Sequence, residues 1–467
     1  LTKLLVGIFF TMYYLLFFIC IFSRLITSIY YIEDIDSLRF ALSVIDEFNV
    51  SNFQPHIPGY PVFCFFAIFL YKLTGSLGVS FSVIGGISIF FIIYFSLKIL
   101  NVRINSKSSF LIISIIFFNP MMWVLSNRYM PDLMGLSIIV AAFYLLTFSS
   151  NYKNNLIGMF LAGILFGVRL SYFPLLILPV FILLYKTKNR LKLILSLGLG
   201  VLIWLIPFIF SQGLEPLVAV GLKHTSGHFT DYGGTILTEN NLLIRLKYLI
   251  HTIWADGLGG FWVGRSWITL IISLIMLVIF SQLFWIKFNL NKALKILIIS
   301  SLIYLIWIFF FQNLIYKSRH VLPLIFIILV LMSTIILNIK FKSYVIIFPL
   351  ILSILTFNIV FAHKKGTSIY HLKNYLKNQA NSTIISNTLV NFYLKTNGIK
   401  ANFISVDKME KREVINRLND TKKIKIIGDY SSLIENIYQI NFDTTFYHNP
   451  YMNRMWSEIP LYSAELK

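Results

Sequence analysis

The chain has 467 residues, 57% of them apolar and 13% charged, with a mean hydropathy of +0.77. Soluble domains carry roughly 45–50% apolar and about 25% charged residues, so a water-soluble globular protein is excluded. Forty Lys and Arg against nineteen Asp and Glu give a net charge of +21, but the bases lie between apolar runs rather than on one solvated face, so nucleic acid is not the expected partner.

A membrane-crossing helix needs about 20 apolar residues. In chain order such runs lie near 4–28, 77–100, 109–126, 131–149, 156–170, 171–185, 193–211, 267–286, 296–313, 321–339 and 343–362, eleven in all, the fifth and sixth short. The first is too long for a secretory signal, lacks a small-residue cleavage site and is followed by further spans. The two cysteines, Cys20 and Cys64, fall in apolar segments and offer neither a disulfide framework nor a metal site.

Lys and Arg concentrate in cytoplasmic loops. Assigning alternate loops to one side gathers Lys3, Lys98, Arg103, Lys107, Lys153, Lys186, Lys188, Arg190, Lys192, Lys287, Lys292, Lys295, Lys340 and Lys342 on one face, with no acid among them. All nineteen acids fall on the other. The N-terminus is therefore expected inside and the C-terminal tail outside, in a plasma (inner) membrane of prokaryotic type. The same parity keeps 60–71 on the outer surface, because one more span there would place the acid-free loops outside.

Between the first two spans, Leu38, Ala41, Leu42, Ile45 and Phe48 follow helical spacing over Asp36–Phe48, opposite Asp36, Arg39, Ser43 and Asp46. This predicts an amphipathic helix in the interface, and Gly59–Gly75 predicts a second, more apolar one. The outer loop from Ser211 to Trp267 contains a candidate helix at Asn241–Trp254 and two glycine turns. Beyond 362 the composition shifts to fifteen bases and nine acids. Strand-like runs at Thr383–Ser386, Asn402–Val406 and Lys423–Ile427 alternate with helix-like runs near 387–396, 408–418 and 431–439. The expected fold class is a polytopic α-helical membrane protein, residues 1–362, with a small extracytoplasmic α/β domain, residues 363–467.

Chemistry concentrates at the outer membrane boundary. Glu33, Asp34 and Asp36 follow the first span directly and read as water-facing carboxylates. Locally, an Asp opening a helix favours capping; beside a lipid-borne donor it also suits a general base, and Asp34 with Asp36 has the D-x-D form that holds a divalent metal. The turn Gln54-Pro55-His56-Ile57-Pro58-Gly59-Tyr60-Pro61 breaks any helix; His56 there is either a solvated loop residue or part of a stiff support for the carboxylate helix.

Farther on, Lys223–Thr235 holds His224 and His228 four residues apart. Gly227 argues against a stable helix and no H-E-x-x-H pattern is present, so phosphate or sugar hydrogen bonding is favoured over metal. Arg319 and His320, in Tyr316–His320, and Arg128, in Ser126–Asp132, are bases on the acid-bearing side, against the charge rule, which points to an anionic ligand if they do not simply snorkel. Arg169, in Gly167–Ser171, is the base closest to the middle of an apolar run, where charge is costly. No acid lies deep in a span, which counts against an ion-coupled transporter.

These motifs, in this order and on one face, resemble the GT-C superfamily of polytopic glycosyltransferases, nearest to prokaryotic relatives of protein O-mannosyltransferases and aminoarabinose transferases. The resemblance covers about residues 1–362; Ile57 stands where the family's prolyl turn usually has a second proline. It implies a sugar donor on a polyprenyl phosphate, inverting transfer on the outer face and a catalytic aspartate in the first outer loop, which matches Asp36, with Asp34 beside it. It leaves His56, Arg128, Arg169, His224, His228, Arg319 and His320 as substrate-binding candidates for an acceptor glycan, lipid or protein and for the donor phosphate. No cofactor is expected, with Asp34 plus Asp36 as a divalent-metal site the minority reading. A lipid-linked polysaccharide polymerase or ligase, a transporter or flippase, and a noncatalytic membrane scaffold remain alternatives.

Overall fold

The computed structural model describes residues 2–285, 291–339, 343–379, 382–418 and 423–467; Lys287, Lys340 and Lys342 of the basic loops lie outside these. The chain divides into two compact units, one of Leu1–Tyr30 with Phe40–Phe361 and one of Tyr31–Arg39 with Ala362–Lys467. A boundary drawn from composition alone misses that Tyr31–Arg39, far away in sequence, folds with the tail.

The first unit is helical. It runs through α1 (Thr2–Ile26), the later part of α2 (Ile35–Ile45), α3 (Pro61–Thr74), α4 (Leu77–Ile99), α5 (Lys107–Phe117), α6 (Pro120–Asn127), α7 (Asp132–Thr147) and α8 (Tyr152–Arg169). It continues through α9 (Ile177–Lys186), α10 (Arg190–Gln212), α11 (Leu214–Gly227), α12 (Leu242–His251), α13 (Trp267–Ser281), α14 (Lys292–Phe311), α15 (Leu322–Asn338) and most of α16 (Ser343–Lys365). Among the described residues, seven helical stretches are long and apolar enough to cross a membrane, eight if the bent pair α5 and α6 is one span. The expected count of eleven is not established by this measure. Three shorter apolar helices remain, at Thr11–Ile26, Pro61–Thr74 and Asp132–Thr147. At about 1.5 Å per residue, the 14 residues of α3 reach only about 21 Å, short of the roughly 30 Å hydrocarbon core.

The bend of 59° between α5 and α6 has an identifiable cause. Pro120 cannot continue a helix, and Asn119 starts a new one by accepting from Met122 N at 3.0 Å. The carbonyls released at the break find other donors: Arg24 Nη2 reaches Phe117 O at 3.0 Å and Thr356 Oγ1 reaches Phe118 O at 2.5 Å.

The stretch Tyr152–Lys186 is not one straight span. Ser196 Oγ donates to Leu156 O at 2.7 Å and Trp204 Nε1 to Gly163 O at 3.1 Å, so α8 and α10 run parallel. Tyr152 OH donates to Asn189 O at 3.2 Å, which brings the chain back to where α8 began. The return is made by a 3-10 segment, Leu170–Leu176, followed by α9. At about 2 Å and 1.5 Å per residue respectively these make roughly 29 Å, enough for a membrane core. The parallel pair packs on glycine: a Cβ on Gly200 would stand 2.1 Å from Phe160 O, and one on Gly163 would stand 2.3 Å from Leu197 O.

The segment between α10 and α13 holds a helix that the sequence reading lacks, α11, which passes through Gly227 into a π-helical turn, His228–Tyr232. The expectation that Gly227 forbids a helix fails because the missing side chain makes room for Tyr232, whose Cε1 would lie 2.5 Å from a Cβ there. The candidate helix at Asn241–Trp254 is present as α12, capped by Asn241 and continued by a second π-helical turn, Thr252–Gly257.

The second unit carries the start of α2, α17 (Ser368–Leu376), α18 (Thr388–Thr396) and α19 (Lys411–Asn416) around a five-stranded sheet. Its strands are β1 (Thr383–Ser386), β2 (Asn402–Ser405), β3 (Ile424–Ile427), β4 (Tyr438–Tyr447) and β5 (Glu458–Leu466), in the order β2-β1-β3-β5-β4. The three expected strands are present and parallel. The third expected helix, near 431–439, is instead a single 3-10 turn at Ser431–Leu433 leading into the antiparallel pair β4 and β5. Ile385, Ile404, Ile426, Val414, Leu418 and Tyr438 form its core.

Candidate functional site

Within the first unit, helix ends bring together most of the binding residues expected from sequence. Tyr60, in the left-handed conformation at φ 49°, opens α3, and its hydroxyl lies 3.2 Å from His56 Nε2. Arg169, where α8 gives way to the 3-10 segment, donates from Nη1 to Tyr60 OH at 3.3 Å and pairs through Nη2 with Asp132 Oδ1 at 3.0 Å. Asp132 is the first residue of α7 and takes Arg319 Nε at 3.6 Å on its other oxygen and Tyr172 OH at 3.4 Å on Oδ1. Gly135 makes the approach of α8 to α7 feasible, since a Cβ there would stand 2.6 Å from Arg169 Cβ. Tyr304 OH donates to His320 O at 2.9 Å and fixes the segment carrying Arg319.

His224 joins from α11: its ring lies 5.6 Å from that of His56, and Tyr232 OH meets its Nδ1 at 2.9 Å. His228 turns to Phe311 O at 3.1 Å, so the two histidines do not converge as a metal pair. Arg128 is buried at the end of α6, four residues before Asp132. Among the described residues, no three His, Cys, Asp or Glu side chains come together as a metal-ligand set.

Arg169, Arg319, His320 and Asp132 are all buried. Two guanidinium groups converge on one carboxylate, so the cluster carries more positive than negative charge in a low-dielectric setting. Such an excess favours an anion, and a planar guanidinium matches phosphate oxygens in pairs. Sequence reasoning left Asp132, Tyr60, Tyr172 and Tyr304 off the site. Asp132 and Tyr60 stood inside quoted motifs; Tyr304, one tyrosine among 25, carried no signal.

The first-loop carboxylates belong to the second unit. They are not water-facing as expected: Glu33, Asp34 and Asp36 are 1%, 0% and 1% exposed. Glu33 Oε2 lies 3.3 Å from His363 Nε2. Asp34 is the cap of α2, its carbonyl accepting from Leu38 N at 2.9 Å and its Oδ1 from Ser37 N at 2.7 Å. Its Oδ2 accepts from Asn453 Nδ2 at 2.8 Å. The capping role thus falls to Asp34, while Asp36, in the first helical turn, pairs with Arg39 Nη1 at 3.7 Å. Tyr393 OH donates to Ile32 O at 2.6 Å just before this segment. Burial, and then the charge of Asp34, push that phenol well above its ordinary range.

No family model matches the chain, and no curated protein does. Among solved structures, ArnT from Cupriavidus metallidurans bound to undecaprenyl phosphate aligns over 99% of this chain and 98% of that one, with a TM-score of 0.55 at 9% identity. The same protein in its apo state aligns over the same shares with a TM-score of 0.50 at 11% identity. The chain therefore has the polytopic fold of ArnT with a small C-terminal sheet unit, as the GT-C resemblance implied.

Proposed function

We propose that this protein is a membrane glycosyltransferase that moves a sugar from a polyprenyl-phosphate donor to an acceptor hydroxyl on the outer face, with inversion at the anomeric carbon. The observation that carries this reading is the convergence of Arg169 and Arg319 on Asp132 beside Tyr60 and His56, a cation-rich cluster at helix ends opposite the base-rich loops. It is a setting suited to a lipid phosphate whose tail lies in the bilayer. The likeness to ArnT, whose structure holds undecaprenyl phosphate, supports the same donor class.

In this reading Asp36 takes the proton of the acceptor hydroxyl. The acceptor oxygen forms a bond to the anomeric carbon, and the bond from that carbon to the phosphate oxygen breaks with its electron pair. The leaving lipid phosphate gains charge, which Arg319 and Arg169 hold with His320, His224 and His228 nearby, a stabilisation that grows toward the transition state. Arg128 and His56 complete the binding residues; the chemistry asks no metal of Asp34 and Asp36.

The N-terminus is inside and the tail outside a prokaryotic inner membrane, as the charge asymmetry supports. The deciding experiment is transfer by protein in nanodiscs supplied with a polyprenyl-phosphate sugar, for wild type and Asp36→Asn. Activity that survives Asp36→Asn with a lipid-linked oligosaccharide but is absent with the monosaccharide donor would favour a polymerase or ligase instead. Orientation is read separately: cysteines placed at Asn105 and Asn189 should resist an external reagent, and one at Lys395 should react.

A further inference from the structure

At the base-rich helix ends lies a cavity of about 210 Å³ that the transfer reaction does not use. Lys107 and Ser108 at the start of α5 form its polar rim, and Leu111, Ile336, Leu337 and Val345 from α5, α15 and α16 form its apolar wall. Lys107 is exposed, while Leu111, Ile336 and Val345 are buried. The volume is about seven times the roughly 30 Å³ share of one water, room for a phosphoglycerol and the first carbons of a chain rather than a whole lipid.

The surroundings select the charge of the occupant. Every side chain charged at neutral pH in the loops at these helix ends is a base and none is an acid. A neutral lipid would fill the apolar wall but leave the Lys107 rim without a counterion; a free phosphate would satisfy the rim but leave Leu111, Ile336 and Val345 lining a void.

We propose that this cavity seats one anionic phospholipid of the leaflet at the base-rich ends, its phosphate against Lys107 Nζ and its glycerol and upper chain over Leu111, Ile336 and Val345. The proposal rests on these helices crossing a bilayer and is independent of the transferase reading.

The test is native mass spectrometry of delipidated protein titrated with phosphatidylglycerol or with phosphatidylcholine of the same chains. One phosphatidylglycerol should be retained in preference. Lys107→Gln should weaken that retention about fivefold, the weight of one lysine beside anionic lipid, and Leu111→Trp should weaken it by filling the wall. Lys153→Gln, on the same face but away from the cavity, should leave it unchanged. Since Lys107 is exposed, its variant keeps the test decisive if Leu111→Trp fails to fold. Equal retention of phosphatidylcholine, equal damage by Lys153→Gln, or full displacement of the lipid by inorganic phosphate would each overturn the proposal.

Discussion

Arg169 and Arg319 share one counterion. They approach the two oxygens of Asp132 from different helices, at 3.0 Å and 3.6 Å. The arrangement ties α7, α8 and the turn before α15 to the same carboxylate.

Asp132→Asn should therefore destabilise the protein more than either arginine substitution. Removing one partner of a buried ion pair typically costs about 3–5 kcal/mol, and Asp132 is partner to both arginines. Thermal unfolding in detergent is the measurement, and Asp132→Asn with Arg319→Gln should recover part of the lost stability. A double variant no more stable than Asp132→Asn would show that the pair with Arg319 carries no weight.

The first-loop carboxylates should separate by phenotype. Asp36→Asn keeps side-chain size and removes the proposed base, so it should fold normally and lose about 10²–10⁴-fold in transfer rate. Asp34→Asn retains an acceptor for Ser37 N, whereas Asp34→Ala loses the cap and should cost about 1 kcal/mol or more of stability. Normal turnover in Asp36→Asn with none in a folded Asp34→Asn would reverse the assignment.

For the proposed phosphate clamp, initial rates against the concentration of the proposed lipid donor distinguish binding from turnover. Arg319→Ala should impair both. Arg319→Lys should recover only part, since it keeps the charge but loses the planar set of donors. His320→Ala should be milder. Wild-type kinetics in Arg319→Ala would leave Arg319 as a helix anchor and move the clamp to His224 and His228.

Gly135 offers a test from outside the cluster. Gly135→Ala forces a contact that stands at 2.6 Å from Arg169 Cβ, so Arg169 must shift from Asp132 and Tyr60. The expected result is a raised KM for the lipid donor with expression largely retained. An unchanged KM would mean that α7 and α8 separate without disturbing the pair.

Most helices of the first unit, though not α11, and the three parallel strands were readable because apolar runs and strand-loop-helix alternation are local signals. Arg169 and Arg319 stood out as bases where the charge rule discourages them, and both meet Asp132. Asp132 did not stand out, because an acid opening a helix looks like ordinary helix chemistry until the facing arginines are in place. The hairpin of β4 and β5 was hidden by Leu433, Ile434, Ile437 and Tyr438, whose spacing imitates a helix face while Ile434 and Tyr438 pack into the sheet core. The burial of Glu33 and Asp34 was equally hidden, since their partners His363 and Asn453 lie more than 300 residues away.

The incorporation of Tyr31–Arg39 into the tail unit limits how this protein can be divided. The polypeptide passes from one unit to the other three times, so a cut near 362 separates the last hundred residues from a piece they need. A chain ending there would be released with Asp34 lacking Asn453 and Glu33 lacking His363, two carboxylates shaped for company that has not yet been synthesised. During translation the same is true for as long as the tail is unfinished. The loop bearing Asp36 is made long before Asn453, so termination ahead of Asn453 should leave that loop incomplete after the helices of the first unit have been made.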